Sequence, residues 1–206
     1  MNVAVLTFDA FNELDSFVAA ALLNRLSGEG VSAFITAPSE QVISKNGIVV
    51  HAQQPLSFAW EADAVIIGSG RKSGEIAGDP QILSALQLDP SRQLIASQCS
   101  GALLLAALGL VQPGHAVCTD LMTAPALKAE GYNVAGKPFH VEGNVASAGG
   151  CLSAQYLATW IAGRLLGVEA AERMIWGASP VGEKDAWVKR SLSVVRPFLR
   201  APEGVQ

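Results

Sequence analysis

The sequence predicts an α/β fold in which a parallel sheet is covered by helices on both faces. Strand-like and helix-like segments alternate along the chain, which is the pattern of βαβ units. Several strands, such as Val3-Ala4-Val5-Leu6 and Ala64 to Ile67, are apolar throughout, as strands buried on both faces must be. The segment Arg92 to Gly101 runs an apolar strand into a tight turn that carries Cys99, and an apolar helix over Ala102 to Leu108 leaves it. This is the form of a nucleophile elbow, in which small neighbours let the backbone bend and lift one side chain off the sheet edge.

Each element has its own justification. Asn2 to Phe8 reads as a buried central strand, and a helix from about Asn12 to Gly28 follows, stopped by the glycines at 28 and 30. Val31 to Thr36 is the next strand. Val42-Ile43-Ser44 and Ile48-Val49-Val50, joined through Asn46-Gly47, read as a hairpin whose turn takes positive φ angles. Ala64 to Ile67 ends in Gly68-Ser69-Gly70, a helix begins near Pro80, and Leu94 to Ala96 feeds Cys99. His115 to Thr119 and Val145 to Ala148 are further strands, the second preceded by a Glu142-Gly143-Asn144 turn. A helix from about Cys151 to Leu166 places Ala154, Ala158 and Ala162 four residues apart, which lets it lie close to a neighbour. From Ser179 onward the chain is more polar and reads as a peripheral helix with a loose end. No repeat or linker interrupts residues 1–206, so a single domain is expected.

Composition excludes several functions. Half of the 206 residues are hydrophobic and 16% are charged, which suits a globular core rather than disorder. The 14 basic and 18 acidic residues leave a net charge of −4 without any basic run, so a nucleic-acid surface is not expected. No apolar run is long enough for a bilayer, and Met1 leads into a strand without the basic start of a signal peptide. A cytoplasmic protein with three free thiols is the expectation. The three histidines and three cysteines make no zinc-binding spacing, so no metal ligand is expected.

Ligands in such folds gather at the carboxyl ends of the strands. Three turns there carry chemistry. Cys99 sits at a helix start, where unpaired N–H groups favour a thiolate; the alternative is a buried structural cysteine. In the first turn, Asp15 shares a helix face with Val18, Ala19, Leu22 and Leu26, whereas Glu13 shares the other face with Ser16, Asn24 and Ser27. Asp15 is thus the inward carboxylate, and an acid drawn from water can hold or pass a proton. A plain dipole-complementing role for it stays open. The glycines of Gly68-Ser69-Gly70 can turn N–H groups toward a ligand. Cys151, after Gly149-Gly150, is a rival thiol at a helix start, but no elbow surrounds it; Cys118 falls within a strand and reads as inert core. Trp60, Trp160 and Trp176 are core or pocket wall.

With these residues the chain resembles the ThiJ/PfpI superfamily, of class I glutamine amidotransferase-like fold, and within it the isonitrile hydratase branch. The similarity runs from the first strand to about Gly167. It rests on Phe-Asn-Glu-Leu-Asp at 11–15, Ile-Gly-Ser-Gly at 67–70, Asp79-Pro80, Ser-Gln-Cys-Ser-Gly at 97–101, Ala-Leu-Gly-Leu-Val at 107–111, and Gly143-Asn144 before Gly149-Gly150. The resemblance implies a flavodoxin-like sheet, Cys99 as nucleophile, Asp15 as its acidic partner, Ser100 as the hydroxyl after the cysteine, and Ser69-Gly70 as the loop whose amides face substrate. It implies a small-molecule substrate, no cofactor and a homodimer, with the first helix and the helix over 154–162 as candidate faces. Phe17-Val18-Ala19 stands where the family has Gly-Pro, Ser69-Gly70 where it has Gly-Gly, and Ala154-Gln155-Tyr156 where the hydratases have Ala-Gly-Ile-Asp. Thr119-Asp120-Leu121 replaces a Thr-His-Trp type segment, which weakens a protease reading; His115 and His140 are expected near the surface. Isonitrile hydration to an N-substituted formamide is the leading expectation. Glyoxalase or deglycase chemistry on small dicarbonyls, and an oxidation-sensing cysteine, are the alternatives.

Overall fold

Strand β1 (Asn2–Leu6) alternates its side chains between two cores, Val3 and Val5 on one face of the sheet and Ala4 and Leu6 on the other, all fully buried. The computed structural model describes residues 1–199. Helix α1 (Glu13–Leu23) follows, then β2 (Ser32–Ala37), β3 (Gln41–Ile43), β4 (Val49–His51), β5 (Gln54–Pro55) and β6 (Ala64–Ile67). Helices α2 (Ser73–Ala77) and α3 (Pro80–Ala85) lead to β7 (Leu94–Gln98), α4 (Ala102–Ala107), β8 (Ala116–Val117), α5 (Ala124–Ala129) and β9 (Asn133–Val134). The chain continues through β10 (Phe139–Glu142), β11 (Val145–Ala148), α6 (Ala154–Leu166), α7 (Val168–Ala178) and α8 (Lys184–Val195).

Seven strands form one sheet in the order β10-β11-β7-β6-β1-β2-β5. All its pairings are parallel except β10 against β11. Setting aside the short edges, the order β2-β1-β6-β7-β11 is the flavodoxin-like 2-1-3-4-5 arrangement. Helices α1, α6, α7 and α8 cover one face, and α2, α3 and α4 lie on the other. The carboxyl ends of β1, β6, β7 and β11 open on one edge, where the order reverses, and that edge positions the candidate site.

Several boundaries differ from the sequence reading. Helix α1 stops at Leu23, and a 3₁₀ stretch over Asn24–Glu29 carries Gly28 before Gly30 turns left-handed at φ 86°. Ser16, expected to face outward, is fully buried and accepts a hydrogen bond from the Thr7 hydroxyl, because α1 is wedged against the end of β1. Only Gly47 takes a positive φ in the β3–β4 hairpin; Asn46 does not, since the loop spans Ser44 to Ile48 rather than two residues. Strand β10 is an addition to the expected elements: Phe139 and Val141 point to the core while His140 and Glu142 alternate outward. The strand from His115 shortens to β8, which pairs with β9 in a separate small sheet.

Ala154, Ala158 and Ala162 are fully buried where α6 packs on α1 and α7, so that face is used within the chain and cannot serve a dimer. Tyr156, one of the departures from the family pattern, is also buried, and its hydroxyl accepts from Arg190. The segment from Ser179 is less peripheral than expected. Val195 is fully buried in the main core, and Phe198 meets Phe139 edge-on. The expected loose end beyond Leu199 lies outside the described residues. Among the described residues no helix is long and apolar enough to cross a membrane. Trp160 is core, and Trp60 and Trp176 are half exposed.

Candidate functional site

Cys99 occupies a left-handed backbone conformation, φ 48°, at the step from β7 into a 3₁₀ turn over Cys99–Gly101. A non-glycine residue there is strained, at a cost of order 1–3 kcal/mol, and persists only because its surroundings enforce it. The enforcement is visible. Gly101 lies so close to β6 that a Cβ would stand 2.5 Å from the Ile67 carbonyl oxygen. The Thr119 hydroxyl donates to the Cys99 carbonyl at 2.9 Å. The elbow expected from small neighbours is therefore real, and its cause is close packing on the adjacent strand.

Asp15 is fully buried in the first turn of α1, and its Oδ2 accepts a hydrogen bond from the Ser69 hydroxyl. Glu13, two residues earlier, points away to the β3–β4 loop and accepts from Ser44 and Asn46. The Ser44 hydroxyl, first among its neighbours, holds the Glu13 carboxyl below the usual carboxylate range. The two acids divide as the helical spacing predicts.

The fold also brings in a residue that sequence reasoning set aside. Cys151 opens the 3₁₀ turn after β11, and its sulfur joins the Cys99 sulfur and an Asp15 oxygen in a cluster whose three atoms lie within 4.8 Å of one another. The signal was available in principle: β7 and β11 pair in register, Gln98 opposite Ala148, so the turns after both strands leave the same edge. Asn12 begins α1 without capping it; its side-chain amide donates instead to the Cys151 sulfur at 3.1 Å. Gln98 Nε2 reaches the Cys99 sulfur at 3.5 Å and the Gly150 carbonyl at 2.8 Å.

The remaining expected residues sit close by. The Gly70 amide donates to Ser73 Oγ at 3.0 Å and to Ser100 Oγ at 3.3 Å, and the two hydroxyls lie 2.9 Å apart. Ser69 thus touches Asp15, whereas the Gly70 amide, expected to face substrate, is taken up by the Ser73 and Ser100 hydroxyls, Ser73 being an addition the sequence did not flag. The histidines lie elsewhere. His115 and His140 both reach Glu142, at 2.7 and 3.4 Å, and His51 is on β4. His140 is less exposed than expected because its ring stands edge-on to Phe198. Asp120 is not a substitute base. Its carboxylate accepts from the amides of Met122 and Thr123 and from the Thr123 hydroxyl, so it caps a turn. Asp120→Ala is expected to lower stability by about 1 kcal/mol, read as a shift in the denaturant midpoint, with Cys99 chemistry unchanged.

Electrostatics reverse one expectation. Burial first, and then the Asp15 carboxylate, push the Cys99 thiol above its ordinary value, against the effect expected of a helix start. A helix end contributes only about 0.3–1 kcal/mol near the surface, less than desolvation of a buried thiolate. Cys151 is raised by the same two causes in the same order, and burial pushes Cys118 up to about 11. These shifts set a pH dependence. A thiol that holds its proton more tightly when folded contributes stability below the ordinary value of 9.0 and loses it as pH rises toward the folded value. Thermal unfolding is expected to show a falling Tm between pH 9 and about 11, and Cys118→Ala to make that fall shallower.

Comparison with known proteins agrees with this fold. The fold is shared with a DJ-1 superfamily protein of Salmonella typhimurium, crystallised as a cysteine-to-alanine mutant, at TM-score 0.71 and 26% identity over 84% of this chain and 94% of that one. Drosophila melanogaster DJ-1beta matches at TM-score 0.74 and 23% identity, covering 86% of this chain and 96% of its own. A ThiJ/PfpI family protein of Pseudomonas syringae matches at TM-score 0.74 and 17% identity, over 95% of this chain and 87% of that one. No match to a curated protein is found. Residues 1–162 match the DJ-1/PfpI family, which spans the sheet, the elbow and the buried acid, and the chain belongs to that family.

Proposed function

We propose that the protein is a hydro-lyase that converts isonitriles to N-substituted formamides at Cys99. The observation that carries this reading is the pairing of a strained elbow thiol with a buried aspartate and no histidine beside it. An isonitrile needs both a nucleophile and a proton at its terminal carbon, and a thiol beside a carboxylate supplies both to one atom. Attack on an amide would instead require a base and a proton donor for a leaving amine, the task usually given to histidine.

The steps balance as follows. The Cys99 proton passes to Asp15 as sulfur bonds to the isonitrile carbon, and Asp15 returns that proton to the same carbon, giving a thioimidate. Water then adds its oxygen to this carbon, and Asp15 takes one water proton and passes it to the nitrogen, leaving the other on the new hydroxyl until it returns to the sulfur. The carbon–sulfur bond breaks, the thiol recovers its proton, and R–NH–CHO leaves. Net, one water adds to one isonitrile. The Ser69 hydroxyl on Asp15 fixes the carboxylate, and the Ser100 hydroxyl, next in sequence to Cys99, is held by the Gly70 amide.

The test is formamide production from an aryl isonitrile, followed by absorbance. Turnover is expected in the native protein and absent in Cys99→Ala. Lactate from methylglyoxal without formamide from any isonitrile would replace this reading with dicarbonyl chemistry. Stable oxidation of Cys99 by peroxide, with neither activity, would replace it with a sensor.

A further inference from the structure

Asp15, Cys99 and Cys151 come from three separate turns, yet one atom of each lies within 4.8 Å of the other two. Metal–sulfur distances near 2.3 Å and metal–oxygen distances near 2.1 Å put the ligand atoms of a tetrahedral site about 3.5–3.8 Å apart. The three groups therefore close on an ion through side-chain shifts of about 1 Å.

Two further observations point to a cation. Asp15 is fully buried, and while Oδ2 takes the Ser69 hydroxyl, Oδ1 meets no partner of good hydrogen-bond geometry. The groups beside the carboxylate are the two thiols, weak donors that leave this oxygen poorly satisfied. Each sulfur is also approached by a side-chain N–H, Asn12 Nδ2 at Cys151 and Gln98 Nε2 at Cys99. Donors of this kind orient and stabilise thiolate ligands around a metal.

We propose that Asp15, Cys99 and Cys151 form a binding site for a divalent, thiolate-preferring cation, best matched by zinc(II). Two sulfurs exclude magnesium and calcium, which take oxygen ligands. A carboxylate together with two thiolates favours zinc, with water in the fourth position. Binding forms two zinc–sulfur bonds and one zinc–oxygen bond and releases the two thiol protons to solvent, with no change of oxidation state. Cys151 is partly exposed beside the open Leu152, which gives the ion its way in. With its lone pair on the metal, Cys99 no longer attacks carbon, so the ion silences whatever reaction the thiol performs.

The experiment is a cadmium titration of the reduced, full-length chain, read by thiolate-to-cadmium charge-transfer absorption, with zinc release into a chromophoric chelator as the stoichiometric check. One ion per chain is expected. Because two protons leave, apparent affinity is expected to rise by up to about 100-fold per pH unit while both thiols are protonated. Cys151→Ser is expected to weaken binding at least tenfold, and Cys118→Ser to leave it unchanged. In the native chain, zinc is expected to shield Cys99 and Cys151 together from alkylation, a readout that needs no variant. Absence of the charge-transfer band, unaltered binding in Cys151→Ser, or shielding of only one thiol would overturn the site. None of these readouts depends on isonitrile turnover, so the two readings fail separately.

Discussion

Asp15→Asn is expected to lower turnover at Cys99 by about 10²–10⁴, the range for loss of a general acid–base group. The substitution keeps the shape of the side chain and its contact with Ser69, but it removes the group that carries the thiol proton to carbon in the proposed mechanism. It should at the same time make the thiol easier to ionise. The Asp15 carboxylate is the second cause, after burial, that raises the Cys99 thiol, so removing its charge moves the thiol back toward its ordinary value. Alkylation of Cys99 at a fixed pH near neutrality is then expected to speed up while catalysis slows. That divergence separates proton transfer from nucleophile activation. Parallel loss of both would show that Asp15 merely holds the site together, and unchanged turnover would remove it from the mechanism.

Gly149→Ala is expected to cost at least about 3 kcal/mol, in the range reserved for severe packing faults. A Cβ at this position would stand 2.2 Å from the Thr119 carbonyl oxygen and 2.9 Å from its carbon, and backbone cannot rotate aside. For a chain of this size the loss corresponds to a Tm lower by about 6–12 °C. Thr119 also anchors the Cys99 carbonyl, so strain at Gly149 reaches the elbow, and activity per folded molecule should fall as well. Gly28→Ala is the contrast: a Cβ there would meet nothing within 4 Å and the φ is ordinary, so stability is expected to hold or rise slightly. Equal effects from the two substitutions would contradict this account of why the turn needs glycine.

The features written most plainly in the sequence were those set by local physics. Apolar runs announced β1, β6 and β7; small residues around Cys99 announced the elbow; and helical spacing separated Asp15 from Glu13. What escaped was set by neighbours distant in sequence. Cys151 read as a rival to Cys99 rather than its neighbour, because only the β7–β11 pairing brings the two together. Ser16 looked outward because helical spacing does not show that α1 is covered on more than one side. Helices α2, α5 and α7 escaped as well, the first two being only five and six residues long. Burial and a nearby carboxylate work against the thiolate expected at a helix start, and neither distance nor depth is readable from spacing.

The most direct measurement of the central claim is to trap the carbon on sulfur. The native protein would be mixed with an aryl isonitrile, reduced with borohydride within the first turnovers, digested and weighed by mass spectrometry. The account predicts that the peptide holding Cys99 is heavier by one isonitrile plus two hydrogens, that Cys151 and Cys118 are unmodified, and that formamide appears in the untrapped reaction. An adduct on Cys151 instead, or formamide formed with no adduct at Cys99, would contradict it.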